Sequence, residues 1–147
     1  MTPADVLEVS VHVEARPETV FAYFTDPARY VQWMGTRATL DAQPGGDYLV
    51  WMREGVQATG QFVEVDPPHR LVFTWGWTGD HGVDAGSTRV ELTFTADHGG
   101  TRVLLRHFGL PDADQVSMHD QGWQLYLHRL EALIAGDVVG PDPNATP

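Results

Sequence analysis

Histidine is the side chain best suited to moving a proton near neutral pH, and the spacing places two of the seven histidines where an interior is expected. Along residues 101–108, His107 alternates onto the same strand face as Val103 and Leu105, so it points inward. There an imidazole could donate to a ligand carbonyl or serve as a general base; the alternative is a neutral, hydrogen-bonded core histidine. His119 lies one helical turn before Trp123 and therefore shares its face. Tyr126 falls on the same helical pattern. His107 with His119 or Tyr126 is thus the candidate catalytic set, and none of the three is assigned a catalytic role from sequence. His81, in a glycine-flanked loop with Asp80 and Asp84, reads as part of a solvated polar loop.

Other chemistries lack their residues. Without Cys there is no thiol nucleophile, thiolate metal site or disulfide; all nine basic residues are Arg, so no lysine can form a Schiff base. His119 and His128 face different sides of the helix and do not have zinc-ligand spacing, so no metal is expected. Glu64, Glu91 and Asp97 alternate with inward residues or sit in turns, and Ser10, Ser87 and Ser117 lack a nucleophile-elbow context. The glycines at 45, 46, 55, 60, 99 and 100 sit in hairpin-like turns without a Lys or a following helix, so neither a nucleotide nor any other cofactor is expected.

What could be bound is apolar. In residues 70–77, Leu71, Phe73, Trp75 and Trp77 alternate with Val72, Thr74 and Gly76, which paves one strand face with large side chains. With Phe94, Leu105, Trp123 and Leu127, and with His107, His119 and Tyr126 as polar tips, they form either the wall of a ligand cavity or an interdigitated core. A cavity of this lining suits a small hydrophobic or aromatic molecule.

The elements that would position these residues are legible in order. Leu7, Val9, Val11 and Val13 alternate with polar residues in a first strand. Pro17-Glu18 opens a short helix with Val20, Phe21 and Phe24 as its stripe, and Asp26-Pro27 opens a second running through Trp33 to stop near Gly35. Strands over 36–41, 47–53, 56–65 and 70–77 follow, separated by Pro44-Gly45-Gly46, Gly55 and Asp66-Pro67-Pro68. A hairpin turning at His98-Gly99-Gly100 leads to residues 101–108. Val116, Trp123, Leu127, Leu130 and Ile134 then mark a long amphipathic helix that ends near Gly136. Residues 137–147 are rich in Pro, Gly, Asp and Asn without periodicity and read as a disordered tail; Asn144-Ala145-Thr146 there has glycosylation spacing but reads as incidental.

The 147 residues suit one domain, over residues 5–136, that needs no staples. A formal charge of −11 repels phosphate backbones and anionic lipid, so nucleic acid and membrane are not expected partners. The start lacks a basic and then apolar leader, and no apolar run is long enough to span a bilayer, so a cytoplasmic location is expected.

Several separated motifs occur together: Arg16-Pro17-Glu18-Thr19-Val20-Phe21, Trp33, Pro44-Gly45-Gly46, Gly60-Gln61-Phe62-Val63-Glu64-Val65-Asp66-Pro67-Pro68, Arg70-Leu71-Val72-Phe73-Thr74-Trp75, His107-Phe108-Gly109-Leu110 and Gly122-Trp123. In this order they resemble the SRPBCC (START-like) superfamily. The likeness is greatest to the family named after the activator of the ninety-kilodalton heat-shock-protein ATPase. It implies an α+β helix-grip fold: a curved antiparallel sheet of six or seven strands wrapped around a long C-terminal helix, with two short helices after strand one. It also implies a choice of roles, since superfamily relatives hold hydrophobic ligands, cyclise polyketides or assist chaperones. Binding of a small hydrophobic molecule is the favoured expectation. A cyclase, hydrolase or isomerase using His107 is the second, and a chaperone-activator role the third, disfavoured because the chain lacks Lys-rich patches for an acidic partner. Self-association into a homodimer stays open.

Overall fold

A computed structural model of the protein describes residues 6–145. The reading of the N-terminal start, the domain boundary at residue 5 and the sequon's Thr146 lie outside the described residues. The elements run β1 (Val6–Val13), α1 (Pro17–Thr25), α2 (Pro27–Tyr30), β2 (Arg37–Leu40), β3 (Asp47–Arg53), β4 (Val56–Asp66), β5 (Arg70–Trp75), β6 (Thr88–Asp97), β7 (Gly100–Phe108) and α3 (Ala113–Ile134). All seven strands join one antiparallel sheet in the order β1-β7-β6-β5-β4-β3-β2, with α3 packed on its inner face. The expected helix-grip architecture is the one observed. Because β1 and β2 are opposite edges, α1 and α2 must carry the chain across the whole sheet.

Local chemistry sets the boundaries. Pro17 supplies the preset φ of a first helical position, and the Asp26 carboxylate caps α2 by accepting from the Ala28 N–H at 3.0 Å. Asp112 caps α3 in the same way, accepting from Gln115 at 2.9 Å. The β6–β7 turn has positive φ at both central residues, His98 (51°) and Gly99 (83°), as a tight two-residue hairpin requires. Leu7, Val9, Val11 and Val13 are buried along β1 and Val90, Leu92 and Phe94 along β6, so the alternation read from sequence is the alternation seen.

Three expectations need correction. The second helix is one turn, ending at Tyr30 rather than running through Trp33; the chain continues in tight turns to Gly35, whose φ of +78° leaves the helical region. The aromatic strand ends at Trp75, because the backbone of Asp84 lies against Gly76 where no side chain would fit, leaving Trp77 bridged to Ala58 and Asp84. The third concerns the tail. Over 137–145 it lacks regular structure yet is tied down: the Asp142 carboxylate accepts from the Gly35 N–H (2.7 Å), the Tyr126 hydroxyl (2.9 Å) and the Asn144 N–H (2.7 Å). Arg129, on α3, donates to the carbonyls of Trp33, Val139, Gly140 and Pro141. Composition suggested disorder, but Arg129 of α3 satisfies the tail's carbonyls while the tail's own Asp142 is held by Gly35 and Tyr126 of the folded domain.

Candidate functional site

A cavity of about 350 Å³ opens between α3, the end of β5 and the β3–β4 hairpin. Its inner wall is Trp75, Trp77 and Trp123 with His119; Met34, Met52 and Val56 form the floor; Met118, Gly122 and Tyr126 of α3 cover it. Arg53, His81 and Asn144 stand at the rim. The volume lies at the lower end of the small-molecule range and holds roughly a dozen water-sized groups. The rings contact one another, with Trp75 5.2 Å from Trp77 and 5.0 Å from Trp123 between centroids, so the wall is braced.

Hydrogen bonding decides what this wall can do. The indole N–H is a donor only. Trp123 donates to His107 Nδ1 at 3.1 Å, so the neutral ring carries its proton on Nε2, which meets Thr88 Oγ1 at 2.8 Å; the Thr88 hydroxyl donates onward to the Trp75 carbonyl at 2.7 Å. Trp75 donates to His119 Nε2 at 3.3 Å, while Nδ1 of that ring meets the Gln115 carbonyl at 2.9 Å and therefore carries the proton. Both imidazoles are neutral with every ring nitrogen engaged. Burial, helped by the neighbouring His119, pushes His107 down to about 3. Burial also lowers His119, against the opposite pull of the Gln115 carbonyl. Neither ring has a lone pair free to take a proton from a ligand. The Tyr126 hydroxyl donates to Asp142 and accepts from Asn144 at 2.9 Å, and burial raises it above the usual phenol range.

The structure thus gathers Trp75, Trp77, His119, Trp123 and Tyr126 on the cavity, with His107 fully buried directly behind them. It places the other expected lining residues elsewhere. Phe73 stacks on Tyr48 at 4.1 Å and Phe94 packs edge-on against Phe21 and Phe24, while Leu105 and Leu127 are fully enclosed core. The choice between cavity and core therefore divides along β5: Phe73 is core and Trp75 is wall. Missed from sequence were Met34, Met52, Arg53, Val56, Met118, Gly122 and Asn144. Gly122, inside a helical pattern, was the readable signal, since a helix interior disfavours Gly by about 1 kcal/mol and a Cβ there would meet nothing within 4 Å. Among the described residues no group of three His, Cys, Asp or Glu side chains is arranged to hold a metal ion, and no helix is long and apolar enough to cross a membrane.

The sequence profile of the family described as Activator of Hsp90 ATPase homolog 1-like protein matches residues 14–135. The chain belongs to this AHSA1-like family. An AHSA1-like protein from Rhizobium etli, solved by NMR, is 44% identical over 94% of this chain and 86% of its own, with a TM-score of 0.75. DynU16, a protein of the dynemicin biosynthetic locus, is 26% identical over 95% of this chain with a TM-score of 0.80; the AHSA1-like chain described here spans 51% of DynU16's length. The Aha1 dimer from Colwellia psychrerythraea, 12% identical over 88% of this chain and 95% of its own, shares the fold at a TM-score of 0.77. No curated protein matches significantly.

Proposed function

We propose that this AHSA1-like protein binds a small hydrophobic or aromatic molecule in the cavity beneath α3. The observation that carries the reading is the three-tryptophan wall, in which the Trp75 and Trp123 N–H groups are taken up by His119 and His107 and those rings are completed by the Gln115 carbonyl and Thr88, around space that no side chain fills. Such a wall presents ring faces to a guest and asks for no buried polar partner, so aromatic and aliphatic bodies are preferred over polar ones. The likeness to DynU16, encoded in a biosynthetic locus, supports a small-molecule role. Catalysis by His107 would need a free lone pair or an acidic proton; the Trp123–His107–Thr88 chain uses both nitrogens, which favours binding over proton transfer.

The test is native mass spectrometry of gently purified protein, then calorimetric titration with a neutral probe such as 3-methylindole, on wild type and Gly122→Leu. Leucine at 122 would project into the open space. One-to-one binding that Gly122→Leu lowers tenfold or more supports the reading. Absence of binding by any two-ring probe, or equal binding by the filled variant, overturns it.

A further inference from the structure

We propose that the ligand of this cavity is an anion, an aromatic or aliphatic body carrying a carboxylate or similar acid, with Arg53 holding the acid at the rim. The inference rests on the cavity being a ligand site and adds the chemistry of its polar end.

The backbone carries the first part of the argument. Strict alternation along β3 buries Tyr48, Val50 and Met52 and would send Arg53 to the opposite face. Instead the β3–β4 register shifts between Trp51 and Arg53, and Met52 and Arg53 both line the cavity. A bulge re-aims a side chain in this way, and it sits one residue before the Glu54-Gly55 turn, at the cavity's edge.

The lining carries the second part. Of the side chains on the cavity, Arg53 alone bears a permanent positive charge and none is Asp or Glu. Among the described residues Arg53 meets no carboxylate within 4 Å, in contrast to Arg70, Arg89 and Arg106, which pair with Glu64, Glu91 and Glu8. Among the described residues its side chain makes one hydrogen bond, a long one of 3.5 Å to the Asn144 carbonyl. The nearby Asp142 carboxylate is occupied by three donors and faces Gly35 and Tyr126. Because the Trp75 and Trp123 N–H groups and both imidazoles are already engaged, they offer nothing to a guest's acid, and the permanent charge that would receive it is Arg53 at the mouth. There a guanidinium with open donors matches a planar acid in bidentate geometry.

The test is a matched pair of equal size, indole-3-acetate and indole-3-acetamide, titrated by calorimetry at low salt into wild type, Arg53→Gln and Arg53→Lys. Acetate binding about tenfold more tightly than the amide supports the proposal, as does Arg53→Gln bringing the acid down to the amide's affinity while Arg53→Lys retains part of the preference. Circular dichroism confirms that the variants are folded. Equal affinities in wild type, or a preference for the acid that survives Arg53→Gln, overturn the role of Arg53 while leaving the cavity's apolar function standing. Failure of both probes to bind overturns both readings.

Discussion

Trp75 and Trp123 each hand an N–H to a histidine, and burial lowers both of those imidazoles, His107 to about 3. In the unfolded chain these rings take up a proton near pH 6.5, whereas folded His107 resists until about pH 3. Between those values the unfolded state binds more protons, so stability is complete above pH 6.5 and falls as the pH drops through that window. The expected slope from His107 approaches 1.4 kcal/mol per pH unit. Urea titrations at pH 7, 5.5 and 4.5 check it: His107→Gln, which keeps an acceptor for the Trp123 indole, should show a shallower loss than wild type. Identical slopes would mean that His107 is not held neutral. Gly122 gives a second prediction at this scale. Gly122→Ala meets no neighbour and should stabilise the protein by about 0.5–1 kcal/mol through helix propensity alone, read as a higher urea midpoint at unchanged m-value. The imidazole hydrogen bonding was not readable from sequence, because each ring is met by an indole 16 or 44 residues away along the chain.

Elements far apart in sequence close the mouth of the site. The segment after α3 was expected to be loose because its composition gives it no periodic apolar face. It is fastened to the domain: Arg129 satisfies three of its carbonyls, and its own Asp142 reaches Gly35, 107 residues earlier. Asp142→Ala would leave the buried Gly35 N–H and the Tyr126 hydroxyl without their acceptor, at a cost of about 1–3 kcal/mol. Hydrogen exchange should show the Gly35 amide and the Tyr126 region losing protection while β6 and β7 retain theirs; unchanged exchange at Gly35 would contradict the fastening. The strand alternation, the cap at Asp26 and the amphipathic pattern of α3 were all readable, since each is a local property of consecutive residues. The bulge that turns Arg53 inward was not, because it arises from the register between β3 and β4.

For the whole molecule, the seven-stranded sheet and α3 enclose a core that is dense beneath Phe73, Leu105 and Leu127 and hollow beneath Trp75 and Gly122. Filling that hollow should stabilise the folded state by mass action. A bound apolar guest at about a hundred times its dissociation constant adds about 2.7 kcal/mol, which for a domain of this size raises the melting temperature by roughly 5–10 °C. Thermal scans with and without 3-methylindole check this, and at the same probe concentration the shift should fall to about half or less in Gly122→Leu. By itself the sequence determined the order of elements, the inward faces of β5, β7 and α3, and the absence of thiol and lysine chemistry, because periodicity and composition are local facts about the chain. Only the tertiary structure decided that Trp75 and Trp77 face space while Phe73 faces Tyr48, that the histidines are silenced by tryptophans, and that the tail is held. Those outcomes depend on which side chains meet across the sheet and helix. Packing between distant segments sets them, and no window of neighbouring residues contains it.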